Sequence, residues 1–425
     1  MPDSAAKQAL KSPNPTSKRK SRKQPKPRGY GPLLRFLLGV VILGAFCFWI
    51  YQKWPQWSGA VPRKAAAVES APSADSLSTE NLTVQQWVER GNAALEKHDF
   101  NAAIANYGQA IRLKPDFAEA YYQRGLVREQ GKGDPDGALA DFNDAIRLKP
   151  SFAEAFYQRA NARYDKENFN GALLDYNEAI RLNPSFADAF ENRGLARHRA
   201  HDFAGAIQDF SEAIRLRPSA ASFYNRGKER LAQGDVNSAI QDFNDAIHLK
   251  PDFADAFNDR ARARTAKRDF DGAIDDASEA IRLNPNFAVA FNNRGNARNQ
   301  EGDVDGALRD YNEAIRLAAD NPAVFFNRGT ARREKGDLDG ALQDYDKAID
   351  LKPDDPQIFY NRANTRLQKG DARGAIDDYD QALRIQPDDA AVYFDRSKAH
   401  RQKGDTAAAQ QDYQQAIRLG YKPKK

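Results

Sequence analysis

The sequence predicts an all-α solenoid of stacked helix–turn–helix repeats, preceded by a single transmembrane helix. Three observations carry this expectation. An alanine recurs every 33 to 35 residues from Ala103 to Ala409. An aromatic residue recurs at a matching interval from Trp87 to Tyr393. Phe36 to Tyr51 is sixteen residues without a charge, in a chain of which 29% is charged.

The N-terminal elements come first. Residues 1–32 hold six of the 21 prolines and a run of basic groups from Lys18 to Arg28. Such a segment has little apolar surface to bury, so a disordered cytoplasmic tail is expected. Residues 1–35 carry ten Lys/Arg against Asp3 alone, whereas residues 84–425 carry 51 basic and 55 acidic groups. The net charge of +5 is therefore a basic tail joined to a mildly acidic body. Residues 33–52 read as the span, since roughly 20 apolar residues cross a bilayer as helix. Arg35 lies near its end and can snorkel to the headgroups. Tyr30, Trp49, Tyr51, Trp54 and Trp57 flank it, where aromatic rings favour the membrane interfaces. The basic excess before the span keeps the N-terminus cytoplasmic and exports the rest, as for a bacterial inner-membrane protein with a periplasmic array. Phe46, Phe48 and Trp49 occupy the place where a cleaved signal peptide needs small residues, so an uncleaved signal anchor is expected. The same basic tail offers a contact to anionic lipid. No nucleic-acid partner is expected. Cys47 is the only cysteine and falls in the span, which excludes a disulfide framework or a multi-cysteine zinc site. Residues 53–83 are a flexible linker rich in Ala, Ser and Pro; Asn81-Leu82-Thr83 is a lone glycosylation sequon.

From residue 84 the chain repeats. With units beginning at 84, 118, 153, 187, 220, 254, 288, 322, 356 and 390, position 4 is always aromatic and position 8 always small. Alanines recur at positions 20 and 27, with an aromatic at 24 in every unit but the sixth, where Ala277 stands. These spacings place one apolar stripe on each of two helices. Gly-Asp turns such as Gly234-Asp235 separate the helices, and a proline ends eight of the ten units. Unit boundaries are expected at 84–117, 118–152, 153–186, 187–219, 220–253, 254–287, 288–321, 322–355, 356–389 and 390–421.

This pattern resembles the tetratricopeptide repeat (TPR) family, whose 34-residue unit has the same small and aromatic positions. The resemblance implies a right-handed TPR superhelix in which stacking supplies the core that one hairpin lacks. It also implies protein–protein interaction rather than catalysis. Helix B of the last unit carries Gln410, Gln411, Gln414 and Gln415, the polar face that a terminal helix needs.

Two columns depart from the family. Position 7, usually leucine there, is arginine in every unit, including Arg159, Arg193, Arg294 and Arg328. Position 11 is arginine in eight, and position 23 is Asp in nine, including Asp175, Asp209, Asp310 and Asp344. Arginines beside a packed stripe need partners, so an Arg–Asp ladder is expected. The alternative is an arginine track for an anionic ligand. Position 6 carries Asn192, Asn225, Asn293, Asn327 and Asn361, about 160° round the helix from position 4. Position 9 adds Asn161, Asn296 and Asn364. Amides combine donor and acceptor, so such a row can hold the backbone of an extended partner segment. The row looks like the asparagine ladder in the TPR superhelix of O-linked N-acetylglucosamine transferases. No transferase domain is expected, because residues 1–83 are tail, span and linker. The alternative is repeat consensus on a solvated face.

Other chemistries are not expected. Lysine never occupies position 5, which argues against the family's dicarboxylate clamp for acidic C-termini. The five histidines form no row, and His198 and His201 are expected as a surface pair rather than a metal site. No phosphate loop or nucleophile elbow occurs, so no cofactor and no enzymatic activity are expected. The function expected is a membrane-anchored interaction scaffold. The alternative is a positioning subunit of a cell-envelope machine for export or for cell-wall or polysaccharide synthesis.

Overall fold

The computed structural model describes residues 82–422. The expected tail, span and most of the linker lie outside the described residues. Among the described residues there are twenty α-helices and no strand. They form ten hairpins. The first five are α1–α2 (Val84–Glu96, Phe100–Leu113), α3–α4 (Ala118–Val127, Pro135–Leu148), α5–α6 (Ala153–Asp165, Phe169–Leu182), α7–α8 (Ala187–Arg199, Phe203–Leu216) and α9–α10 (Ala220–Ala232, Val236–Leu249). The others are α11–α12 (Ala254–Ala266, Phe270–Leu283), α13–α14 (Ala288–Glu301, Val304–Leu317), α15–α16 (Pro322–Glu334, Leu338–Leu351), α17–α18 (Pro356–Gln368, Ala372–Ile385) and α19–α20 (Ala390–Lys403, Thr406–Arg418). Each helix packs on the one before and the one after it, giving a solenoid-like superhelix. None of these helices is long and apolar enough to cross a membrane.

Local chemistry explains the hairpins. Every second helix starts at an Asp or Asn N-cap, such as Asp303, whose carboxylate accepts from the Gly306 N–H at 2.8 Å. Such a cap contributes about 1 kcal/mol. The preceding turn needs a left-handed residue. Glycine supplies it in six units, for example Gly302 at φ +102°, but His98, Glu167, His201 and Arg268 adopt the same conformation. Within each hairpin the helices meet at position 8. A Cβ on Gly295 would stand 2.7 Å from the Tyr311 ring, so only a very small residue lets that ring bury fully.

Two units depart from the 34-residue period, each with a local solution. Unit two has one extra residue, and α3 ends in a π-helical turn at Arg128–Lys132 that absorbs it. Unit five starts one residue early. In units two, three, four, six and seven a phenylalanine precedes the first helix, and Phe152, Phe186 and Phe253 pack on the position-5 tyrosine of the unit before, each with ring centres 4.8 Å apart. In unit five that place is held by Ser219, and the facing position 5 is Glu191, which accepts from the Ser222 hydroxyl at 2.5 Å. At the far end Tyr421 stacks on Phe394 at 4.0 Å, closing the last unit as the next phenylalanine would.

Candidate functional site

The arginines at position 7 face inward between the helices. Arg328 donates from Nε and Nη2 to the two carboxylate oxygens of Asp344, at 3.0 and 2.6 Å. Its Nη1 donates to Asn312 Oδ1 of the preceding unit at 2.6 Å, and its guanidinium lies 5.6 Å from the centre of the Phe325 ring. Arg332, at position 11, adds a third donor to Asp344 at 2.8 Å. Arg159 and Arg193 fork onto Asp175 and Asp209, and Arg294 onto Asp310, with the same geometry. Arg163, Arg197 and Arg298 repeat the third contact. Asp175, Asp209, Asp310 and Asp344 are all buried. Arg159, Arg193, Arg294 and Arg328 thus each tie their own hairpin together and reach the hairpin before it. These guanidinium groups are engaged within the fold rather than offered to an anion.

The opposite arc of each first helix, positions 2, 5, 6, 9, 12 and 13, is turned away from its own hairpin. Asn192, Asn225, Asn293, Asn327 and Asn361 lie there, all half-buried. Asn192 Nδ2 donates to the Tyr157 hydroxyl at 2.9 Å and to Asn161 Oδ1 at 3.0 Å. Asn293 Nδ2 donates to Asn258 Oδ1 and Asn327 Nδ2 to Asn292 Oδ1, each one unit back, at 2.9 and 3.0 Å. Asn361 Nδ2 donates to the Gln357 carbonyl within its own helix at 2.8 Å. Their side-chain carbonyls, with two acceptor sites each, accept no hydrogen bond among the described residues.

Position 9 has a second duty. Asn161, Asn296 and Asn364 accept from the hydroxyls of Tyr176, Tyr311 and Tyr379 at 2.7, 2.8 and 2.6 Å. Burial raises the pKa of all three tyrosines, so the hydroxyls stay protonated donors. Between units three and four the face opens into a cavity of about 310 Å³ lined by Asn161, Tyr164, Asp165, Tyr176, Asn192 and Leu195. Two amides singled out by sequence, Asn161 and Asn192, meet there. Sequence reasoning missed the tyrosines at positions 5 and 12 and the carboxylates around them. Burial, then the Asp165 charge, raises Glu129 to about 7. The aromatic at position 5, present in six units, was the readable signal.

Models of the tetratricopeptide repeat match residues 91–131, 160–200, 224–286, 295–332, 329–370 and 360–420, and a further one matches 118–152. The array is built of tetratricopeptide repeats. Among solved structures, yeast Tom70 shares 16% identity over 80% of this chain and 92% of its own, with a TM-score of 0.40. MamA shares 23% identity over 38% of this chain and 94% of its own, with a TM-score of 0.37. YrrB, described as a TPR protein with an unusual peptide-binding site, shares 21% identity over 43% of this chain and 95% of its own, with a TM-score of 0.40. These are likenesses of TPR fold alone. A search of curated proteins finds no match. TPR proteins serve as protein-interaction scaffolds.

Proposed function

We propose that this protein is a non-enzymatic, membrane-anchored scaffold that holds an extended segment of a partner protein along the inner arc of its first helices. The observation that carries the reading is the row of half-buried position-6 amides whose carbonyls point to no partner within the array. A peptide backbone presents one donor and one acceptor per residue, which matches what a row of amides offers. Residues 33–52 serve as the anchor, with the basic tail in the cytoplasm and the repeats in the periplasm. The tail's lysines and arginines favour anionic lipid by roughly 1 kcal/mol each.

The test uses the full chain cross-linked in native membranes, so that a captured partner supplies the ligand. Changing Asn293, Asn327 and Asn361 together to Ala lowers affinity for that partner at least about tenfold, equivalent to about 1.4 kcal/mol, with helicity unchanged. Equal affinity for the triple variant refutes the amide role. Protease protection of the repeats in sealed spheroplasts checks the topology.

A further inference from the structure

The inner arc changes character along the array. In unit seven it is made of amides, Asn292, Asn293, Asn296 and Asn299. In units one to four it is acidic. Some of those carboxylates are satisfied: Glu119 by Lys149 at 2.8 Å, Asp188 by Arg217, and Glu191 by Ser222. Glu129 and Asp165 meet no cation among the described side chains. They belong to adjacent units and lie near enough for the Asp165 charge to act on Glu129. Asp165 stands at the cavity between units three and four. Its other walls are the rings of Tyr164 and Tyr176, the Leu195 side chain and the amides of Asn161 and Asn192.

A second, independent feature lies one unit further on. Position 10 is alanine in seven units, yet it is Glu229 in unit five, only 4% exposed. Glu229 Oε1 lies 2.7 Å from Nδ1 of His198, which sits one helical turn beyond the cavity wall residue Leu195. Its Oε2 is buried with no partner. A buried acceptor without a donor is costly and needs an explanation. Glu229 does not itself line the cavity; among the residues that do, Asp165 is the one charged group. The tyrosine faces attract a cation, and the apolar wall suits a methylene stem.

We propose that this cavity takes a lysine or arginine side chain of the bound segment, with its cationic head against Asp165 and Asn192 Oδ1 and its stem between Tyr164, Tyr176 and Leu195. The inference rests on the scaffold reading above and adds the charge and the place. An acidic side chain would meet Asp165 and Glu129 as like charges. Glu129 is faced by Asp165 from the next unit and by the Tyr122 hydroxyl from its own helix, while Arg128 beside it is held by Asp141 and Asp134. With its pKa near 7, Glu129 gains charge between pH 6 and 8, so a cationic side chain binds more tightly at the higher pH.

The experiment selects random twelve-residue peptides on phage against the full chain in detergent. Lysine or arginine is expected to be enriched about fivefold at one register, a typical size for a partly exposed charge contact. The enrichment is stronger at pH 8 than at pH 6. In the Asp165→Asn/Glu129→Gln variant it falls to the input level while total peptide recovery persists through the amides. Peptides recovered without basic enrichment, or enrichment unchanged in the variant, overturn the subsite and leave the scaffold reading intact. No recovery at all overturns both. Basic enrichment that appears only after Lys18–Arg28 are replaced by serine identifies the chain's own tail as occupant and overturns the assignment to a partner.

Discussion

Removing one carboxylate from the ladder tests whether these charges hold the array together. Asp344→Ala deletes the acceptor of three charge-assisted hydrogen bonds, from Arg328 Nε, Arg328 Nη2 and Arg332 Nη1. Asp344 is 3% exposed, so water does not replace it. Breaking a buried pair from one side costs about 3–5 kcal/mol. The lower end applies here. Arg328 keeps Asn312 and the Phe325 ring, Arg332 keeps the Gly340 carbonyl, and both side chains retain some contact with solvent. A loss of about 3 kcal/mol is therefore expected, and it should be local, because each repeat contacts only its neighbours. Hydrogen exchange read by mass spectrometry reports it directly: protection falls in α15 and α16 and in the hairpins beside them, and stays unchanged in α3 and α4. A cycle with Arg328→Met should give a coupling of at least about 1.5 kcal/mol. A loss below about 1 kcal/mol, or one spread evenly over the array, refutes the ladder as a stabilising device.

Three further outcomes are expected. Asn364→Ala leaves the buried Tyr379 hydroxyl without its acceptor and costs about 1–3 kcal/mol; adding Tyr379→Phe recovers most of it in thermal melts, since Phe142 and Phe210 fill the same place elsewhere. Arg268→Gly relieves a left-handed residue at φ +65° and stabilises by about 1 kcal/mol, read as a raised unfolding midpoint. Glu129, pushed by burial from its ordinary 4.5 to about 7, favours the folded state fully below pH 4.5, and that contribution is lost as pH rises through 7. Glu129→Gln therefore flattens the stability–pH curve in this window and leaves the variant about 1–2 kcal/mol more stable at pH 8, a figure discounted for partial exposure; an unchanged curve contradicts the burial of that carboxylate.

The hairpins were legible because one steric constraint recurs in every unit. A ring at position 24 buries only if position 8 is small, and that pair marks both helices of nine units. The sixth unit, with Ala277 in place of the ring, was legible from Phe257, Ala261, Ala273 and Ala280 instead. The arginine and aspartate columns were visible as columns. The reach of the position-7 arginines to the preceding unit was not, because position 25 there is Asn, Ser, Asp or, in unit one, Gly108, and approaches only once hairpins stack. The spacings of 35 and 33 residues gave the places of the irregularities and not their form. A π turn and a lone Ser219 are local answers to an extra or missing residue, and periodicity says nothing about which answer is taken. The acidic stretch on the inner arc was hidden for a different reason. Carboxylates occur throughout the sequence, and only the structure separates Glu119, which has a lysine, from Asp165, which has none among the described side chains.

The amides themselves divide once position 24 is considered. Where it is Tyr107, Tyr176, Tyr311 or Tyr379, position 9 is asparagine and accepts the buried hydroxyl. Where it is Phe142, Phe210 or Phe243, position 9 is Leu126, Leu195 or Lys228. A ring without a hydroxyl asks for no acceptor, so the pairing follows the core and not a ligand. Asn161, Asn296 and Asn364 are then committed through their carbonyls and can offer a partner only their N–H groups. Position 6 carries no such constraint, since asparagine stands there beside both Tyr311 and Phe210. Position 6 is therefore not set by the core pairing, and the proposed recognition of a partner's backbone N–H groups rests on the carbonyls of Asn293, Asn327 and Asn361.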